Sequence, residues 1–218
     1  MEDPFAEPTN TREAILGAAF RALCEHGYAD LTIKRIGEEF DKSPSLVYHH
    51  YDGKDELLVD LLEYLLDGFE SALAADAFDL SPRARLDAYV SAMTDPTAID
   101  AEHAPDARFL TAVIELRAQA ATDDAYRGHF DRSDRVFQRF LERSVREAAA
   151  AARADGSFEP HDGAESVAPA EVAATLQAFA SGAMLRWATT NDREWVDDVR
   201  QGIDRYLSTT LPSVDPDA

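Results

Sequence analysis

The sequence predicts an all-α protein of about nine helices, with an N-terminal helix-turn-helix domain followed by a larger helical domain. Apolar residues recur at three- and four-residue spacing through most of the 218 residues, which is typical of helices that bury one face. Proline, glycine and capping residues interrupt this spacing where helices are expected to begin and end. At 45% hydrophobic residues, the chain can bury a substantial core.

The first two helices are bounded by clear end signals. Asn10 or Thr11 can cap the first helix, and Gly27 stands where glycine commonly ends a helix. Thr32 can cap a short second helix over residues 33–40. A turn then separates this helix from the next, so the two are expected to cross closely.

A third short helix and a long fourth helix follow. Ser43 can cap the third, and Pro44 occupies the first helical position, where a missing N–H costs nothing. This helix reaches Tyr51, and a turn separates it from the fourth helix, which begins at Lys54 and continues through Phe69.

Five more helices complete the prediction. Their expected limits are Ser81-Pro82 to Met93, Ala107 to Ala121, Thr122 as a cap to about Ala154, Ser166 or Pro169 to Trp187, and Trp195 to Leu207, closed by Leu211-Pro212. In the helix that begins at Ser166 or Pro169, Phe179 and Ala180 are assigned to the apolar face.

The charge is extreme, with 42 acidic and 21 basic residues and a formal net charge of −21. Such a chain either avoids nucleic acid, which is bound through Lys and Arg, or is adapted to molar salt, as in a halophile. Only three lysines occur, Lys34, Lys42 and Lys54, and all lie between residues 32 and 54. Chance clustering is one explanation, but the placement favours a segment that needs its cations.

The segment from Thr32 to Tyr51 has the layout of a helix-turn-helix, in which the second helix enters the major groove of DNA. The order Thr32-Ile33-Lys34-Arg35-Ile36-Gly37, Lys42-Ser43-Pro44-Ser45-Leu46-Val47-Tyr48-His49-His50-Tyr51 and Lys54-Asp55-Glu56-Leu57-Leu58 resembles the signature of the TetR family of transcriptional regulators. The resemblance covers about residues 11–60 and implies a DNA-binding domain at 1–56 and a ligand-binding and dimerisation domain at 57–218. Asp41 and Lys42 depart from the family pattern, where glycine and an apolar residue are usual.

The resemblance also implies a role for individual residues of the motif. Arg35 suits either a base or a phosphate contact. The expected base-edge or groove contacts are Pro44, Ser45, Leu46 and His49, and the expected phosphate contacts are Thr32, Lys34, Ser43, Tyr48 and Lys54. His49 and His50 offer a weaker metal hypothesis, because adjacent helical residues point about 100° apart.

In the larger half the sequence offers two candidate surfaces, each with an ordinary structural alternative. The residues that either line an effector pocket or simply fill the core are Phe69, Tyr89, Met93, Phe109, Val113, Leu116, Phe130 and Phe137. The residues of a two-fold dimer interface implied by the family are Ala178, Ser181, Gly182, Trp187, Trp195 and Tyr206. Glu115, Arg117 and Arg186 either orient a polar ligand group or form buried ion pairs.

The composition predicts a cytoplasmic protein, and the resemblance implies a homodimeric regulator that binds a roughly palindromic double-stranded DNA site and acts as a repressor released by a small apolar or amphipathic molecule. No cofactor, metal or membrane segment is expected, and Cys24, the single cysteine, is interpreted as a small core residue. The alternatives are a helical protein-binding adaptor without DNA binding, and a helical metal-dependent enzyme. The second is disfavoured because no histidine follows a glutamate by three residues.

Overall fold

The computed structural model describes residues 5–40, 45–75, 80–98, 107–154 and 166–215, and within these ranges it contains nine α-helices. The predicted all-α fold is therefore confirmed. The helices are α1 (Thr11–Asp30), α2 (Ile33–Glu38), α3 (Ser45–His50), α4 (Lys54–Ala74), α5 (Pro82–Thr94), α6 (Ala107–Gln119), α7 (Asp124–Ala154), α8 (Pro169–Thr189) and α9 (Trp195–Thr210). Short 3₁₀ turns occupy Pro96–Ala98 and Leu211–Ser213.

The chain forms two compact units. The first comprises residues 1–71 and 99–133, and the second comprises residues 72–98 and 134–218. The first unit thus includes α1 to α3, most of α4, α6 and the beginning of α7. In the part of the chain that the structure describes, none of the helices combines the length and the apolar character needed to cross a bilayer.

The core of the first unit is built from the inward faces of six helices, with α1 packed against α2 and α6. Apolar side chains four residues apart, such as Leu57 and Leu61 on α4, are completely buried. Burial of each such leucine contributes about 1.5–3 kcal/mol to stability. The larger side chains of this core that are also fully or almost fully buried are Ile15, Leu16, Leu23, Leu31, Ile36, Val47, Leu58, Leu116 and Tyr126.

A charged cluster joins α4 to α7 inside the first unit. The guanidinium of Arg132 on α7 contacts carboxylates of Glu63, Asp67 and Glu70, which follow one another along α4. Nδ1 of the buried His129 lies 2.7 Å from Oε1 of Glu63. Burial lowers the pKa of His129, an effect that the Glu63 carboxylate opposes. These contacts hold the start of α7 along the middle of α4.

The second unit has its own core, in which α5 packs against α8 and α9. A single parallel bridge links Val167 to Val214, and no strand occurs in the described ranges. The predicted inward face of α8 is correct for Val172 and Leu176, which are fully buried. It is also correct for Ala180, which is buried, but wrong for Phe179, whose side chain is 49% exposed because it lies one residue away from the core-facing stripe through Ala180.

Three predicted caps, Asn10, Thr32 and Ser81, are confirmed by hydrogen bonds. Asn10 accepts from the backbone N–H of Glu13 at 2.9 Å, and the hydroxyl of Ser81 accepts from Ala84 N at 3.3 Å. The prediction that Thr122 caps α7 is wrong. Oδ1 of Asp123 takes that role, accepting from Ala125 N at 2.8 Å, because aspartate at this position reaches the free N–H groups directly.

Gly27 interrupts α1 just before its last turn. Its φ of +70° and ψ of 170° lie in a region that side chains with a Cβ rarely adopt. The helical turn resumes at Tyr28 and ends at Asp30. The predicted break at Gly27 is therefore present, and the chain continues for one further turn before α2.

Replacement of Gly27 by alanine is expected to lower the free energy of unfolding by about 1–3 kcal/mol, because the backbone at this position is strained for any L-residue. A Cβ would also lie 3.2 Å from Oε2 of Glu115. Gly68→Ala is the matched control, since Gly68 lies in α4 with nothing within 4 Å of the added carbon. That control is expected to stabilise by up to about 1 kcal/mol. Urea unfolding of both variants measures the difference, and equal midpoints would contradict the prediction.

Candidate DNA-binding interface

The described part of the third helix presents a polar surface above a buried anchor. Val47 is completely buried, whereas Tyr48 is 64% exposed, and Ser45 and His49 are also exposed. Leu46 is half-buried and packs against the core of the first unit. A short helix anchored on one side by apolar residues can present its exposed side to a DNA groove. Ser43 and Pro44, also predicted to contact DNA, lie outside the described residues.

The second helix contributes a capped start and an exposed cation. Oγ1 of Thr32 accepts from the backbone N–H of Arg35 at 3.2 Å, which confirms the predicted cap. The side chain of Lys34 is 87% exposed, and its Nζ lies 3.9 Å from Oε1 of Glu38. Arg35 donates from Nη1 to the carbonyl oxygen of Asp30 at 2.5 Å. Lys34 is therefore the more available of the two cations, since a surface ion pair of this kind is weak.

Lys54 lies inward rather than fully in solvent. Its Nζ donates to the carbonyl oxygens of Tyr28 at 2.9 Å and Leu31 at 3.2 Å, and lies 4.0 Å from the centre of the Tyr28 ring. An ammonium at this place adds a charged donor at the end of α1, where the carbonyl oxygen of Tyr28 also accepts from the backbone N–H of Leu31 at 3.3 Å. The lysine thus ties the segment before α2 to the start of α4.

Asp60 of α4 accepts hydrogen bonds from Tyr51, at the end of the helix-turn-helix, and from Arg12 of α1. The buried hydroxyl of Tyr51 donates to Oδ2 of Asp60 at 2.6 Å. Arg12 of α1 donates to both oxygens of the same carboxylate, at 2.9 and 2.5 Å. Burial raises the pKa of Tyr51, and the Asp60 carboxylate raises it further. Burial acts to raise the pKa of Asp60 as well, but hydrogen bonds from Arg12 and Tyr51 outweigh it and the pKa is lowered.

Sequence reasoning did not find this group, although Tyr51 was placed at the end of the motif. One feature of the sequence could have pointed to it: Asp60 is an acidic residue beside the α4 face that carries the core leucines Leu57 and Leu61. A carboxylate next to such a stripe needs a partner, since burying an unpaired charge is costly. Its partner Arg12 is 48 residues away along the chain, and no local pattern identifies it.

The candidate pocket residues fall into two sets. Phe69, Phe109, Val113, Leu116 and Phe130 belong to the first unit, where Leu116 and Phe130 are buried core residues. The ring of Phe109 packs at 5.2 Å from that of Phe20.

The remaining three pocket candidates, Tyr89, Met93 and Phe137, belong to the second unit. Tyr89 and Phe137 form a tilted ring pair at 6.0 Å, and all three side chains are half-buried. The pocket hypothesis stays a prediction for both sets.

The candidate dimer residues separate by exposure. Ala178, Ser181 and Gly182 are exposed on α8, and a Cβ added to Gly182 would meet nothing within 4 Å. Leu185, 50% exposed, extends the same surface and was not predicted. The exposed Phe179 borders it.

The three aromatic dimer candidates are less open. Trp195 is buried, and its Nε1 donates to the carbonyl oxygen of Asp192 at 2.9 Å. Trp187 and Tyr206 are half-buried. The Arg186 guanidinium lies 4.7 Å from the centre of the Trp195 ring. The Arg193 guanidinium lies 4.9 Å from the centre of the Trp187 ring. These stacks stabilise the corner between α8 and α9.

Two of the three polar residues that sequence reasoning left open have defined contacts in the first unit. Glu115 accepts from the backbone N–H of Tyr28 at 2.6 Å. The Arg117 guanidinium lies 5.0 Å from the centre of the Phe130 ring.

Comparison with known proteins places this geometry in a family. Residues 15–61 match the family model described as "Bacterial regulatory proteins, tetR family". A crystal structure of a TetR transcription regulator from Haloarcula marismortui is 30% identical and superposes with a TM-score of 0.70, covering 91% of this chain and 97% of that one. The chain belongs to the TetR family of transcriptional regulators.

Other relatives match over shorter stretches or at lower identity. The transcriptional repressor AcnR of Corynebacterium efficiens is 29% identical over 121 residues, which cover 56% of each chain. The regulator BetI of Brucella anthropi is 34% identical over 86 residues, 39% of this chain and 44% of BetI. The TetR-family chain therefore matches about half of the length of these curated relatives. A regulator from Saccharomonospora viridis, solved in complex with choline, shares the fold with a TM-score of 0.67 at 19% identity, covering 90% of this chain and 95% of that one.

Proposed function

We propose that this protein is a sequence-specific DNA-binding transcriptional regulator that inserts α3 into the major groove. The observation that carries the proposal is the combination of a completely buried Val47 with exposed Ser45, Tyr48 and His49 on the same short helix. Family membership supports the same function. Thr32, Lys34, Arg35 and Lys54 are proposed to position the motif on the phosphate backbone, together with Ser43, and Pro44 and Leu46 to line the groove.

A fluorescence anisotropy titration on DNA upstream of the protein's own gene tests this proposal, with a scrambled duplex of the same length as the comparison. Specific binding by the folded protein is expected. Equal affinity for both duplexes, or no binding at either low or molar KCl, would favour the alternative of a protein-binding adaptor.

Replacement of Lys34 by Gln is expected to weaken binding to both duplexes alike and to make the slope of log affinity against log salt concentration more positive by about one, because one phosphate contact is lost. His49→Ala, in contrast, is expected to reduce discrimination between the duplexes by about 1–3 kcal/mol. Arg135→Gln is the matched control, because it removes one positive charge from an exposed position of the second unit. A Lys34 variant that behaves like this control would remove Lys34 from the phosphate contacts.

We further propose a homodimer that pairs through the exposed face of α8, with Ala178, Ser181 and Gly182 allowing close approach and Leu185 adding apolar area. Trp187, Trp195 and Tyr206 would support that surface from beneath. A two-fold dimer reads a roughly palindromic site, since the symmetry of the DNA mirrors that of the protein. Sedimentation equilibrium tests this: a single species at the 24.0 kDa monomer mass would contradict it.

Repression relieved by a small apolar or amphipathic effector is the proposed mode of regulation, in a cytoplasmic protein adapted to high salt. In this mechanism, an effector bound to the larger half shifts α4, and this shift changes the distance between the α3 helices of the two protomers. Choline is a rational first probe because one relative was solved with it. Binding of choline or of apolar probes is measured as a thermal shift and as release of bound DNA. A panel that produces neither change would contradict effector control.

A further inference from the structure

Four helices of the first unit meet in one hydrogen-bonded group around Tyr28. Oε2 of Glu115, on α6, accepts from the backbone N–H of Tyr28 at 2.6 Å. The Tyr28 hydroxyl and the hydroxyl of Tyr126, on α7, both donate to Oδ1 of Asp55 at 3.0 Å. The two tyrosine rings meet edge to face at 6.5 Å between centres. We call these four residues the Tyr28 group.

The Tyr28 group lies at both ends of the helix-turn-helix. Tyr28 is in the last turn of α1, four residues before the Thr32 cap of α2. Asp55 is in the first turn of α4, four residues after Tyr51. Lys54 joins the same two ends, because its Nζ reaches the Tyr28 carbonyl oxygen at 2.9 Å. The separation between entry and exit of residues 32–51 is therefore set by contacts that include α6 and α7.

The Glu115 contact follows from the break at Gly27. The non-helical backbone of Gly27 interrupts the ladder of bonds along α1, and the N–H of Tyr28 bonds to a carboxylate instead. Hydrogen bonds to an ionised acceptor are stronger than neutral ones. The bond thus holds the last turn of α1 against α6, the helix on which α1 packs.

The two hydroxyl donors are protonated throughout the physiological range. Burial, then the Asp55 carboxylate, raises the pKa of Tyr28 to about 12. The almost fully buried Tyr126 has its pKa raised still further, for the same two reasons. Asp55 consequently receives two permanent donors from two different helices, which fixes the start of α4 from both sides.

We propose that Glu115 of α6 and Tyr126 of α7 are positioning residues for DNA binding, which set the presentation of α3 without touching DNA. The proposal rests on the proposed function of this protein. The proposal adds residues outside 1–56 to those that determine DNA binding. Two of the four side chains that hold the ends of the motif come from residues 107–133. Contacts at both ends of a short segment limit its orientation, and small changes of orientation weaken several groove contacts together.

The test uses the full chain with Glu115→Ala, Glu115→Gln and Tyr126→Phe. DNA affinity is measured by anisotropy well below the unfolding midpoint of each variant, and backbone exchange of residues 45–51 by hydrogen–deuterium mass spectrometry. Glu115→Ala is expected to weaken binding about tenfold and Tyr126→Phe about fivefold, as for the loss of one strong hydrogen bond. The salt slope is expected to equal that of the wild type, because no phosphate contact is lost.

Conservative replacement separates positioning from general damage. Glu115→Gln is expected to recover most of the affinity, since the amide oxygen still accepts from Tyr28 N. Asp131→Asn, an exposed change on α7, is expected to have no effect. Val145→Ala removes a buried methyl pair in the second unit and lowers stability, but is expected to leave DNA affinity unchanged.

Wild-type affinity in folded Glu115→Ala and Tyr126→Phe would overturn the proposal, as would equal weakening in Val145→Ala or an altered salt slope. The exchange measurement remains informative even if the wild type does not bind DNA, in which case the proposed function itself fails. Faster exchange of residues 45–51 in Glu115→Ala supports the positioning role, and unchanged exchange contradicts it.

Discussion

An increase in KCl from 0.1 M to 2 M is expected to change the DNA affinity of this protein by less than about tenfold. A protein that makes six to ten phosphate contacts typically loses about 10³–10⁵ in affinity between 50 and 200 mM salt, because condensed cations are released from DNA. Weak salt dependence here follows from the charge of the first unit. Residues 1–71 and 99–133 carry 23 Asp and Glu against 10 Lys and Arg, a formal net charge of −13.

The cations of the motif cannot offset that charge by themselves. Of those that the structure describes, Arg35 and Lys54 already donate to backbone carbonyl oxygens, and Lys34 is close to Glu38. Carboxylates that approach phosphates must take up cations from solution, and this uptake opposes the release from DNA. High salt also screens the repulsion between the acidic unit and the duplex.

Glu38→Gln provides the direct check on this explanation. Removing the carboxylate beside Lys34 is expected to raise affinity at 0.1 M KCl and to make the salt slope more negative by about one. Anisotropy titrations at five or more KCl concentrations measure both quantities. A wild-type affinity that falls by three orders of magnitude across this range would contradict the prediction, and would also argue against adaptation to high salt.

Replacement of Asp60 by alanine is expected to lower the free energy of unfolding by about 2–4 kcal/mol, since a charge-assisted pair and a buried hydroxyl lose their acceptor together. Arg12 would lose two hydrogen bonds and Tyr51 one. Urea denaturation monitored by circular dichroism measures the change. Asp131→Ala, an exposed substitution on α7, is the control and is expected to alter stability by less than about 0.5 kcal/mol.

The pH dependence of that difference gives a second readout. The pKa of Asp60 is lower in the folded protein than its ordinary value of 3.8. Such a group contributes its stability fully above the unfolded pKa and loses it as the pH falls through the folded pKa. The difference in stability between wild type and Asp60→Ala is therefore expected to be largest near neutrality and to shrink below about pH 4. A difference that does not depend on pH would show that the carboxylate charge is not the cause.

The helices and their main limits follow from local patterns, which is why so much of the fold could be predicted. Ser81-Pro82 starts α5 and Lys54 starts α4 as expected, because capping and proline preferences act within one turn of the chain. The cap of α7 was misassigned by one residue. Thr122 and Asp123 are both good capping residues, and only the helix geometry decides which side chain reaches the free N–H groups.

In the candidate DNA-binding interface, too, some features follow from local sequence patterns and others do not. Exposure of Ser45, Tyr48 and His49 around a buried Val47 agrees with the motif, since the amphipathic spacing of one short helix determines it. The inward position of Lys54 was not foreseen. Its partners are carbonyl oxygens from the end of another helix, and no side-chain pattern in the sequence marks them.

The sequence by itself determined the all-α fold class, the order of the helices, the family signature and the concentration of lysines in one segment. All of these depend on residues close together in the chain. Only the tertiary structure decided that Asp60 joins Arg12 to Tyr51, and that Glu115 and Asp55 join α6 and α7 to the two ends of the motif. These polar contacts link residues up to 87 positions apart. Their strength depends on burial and geometry, which exist only once the helices have packed.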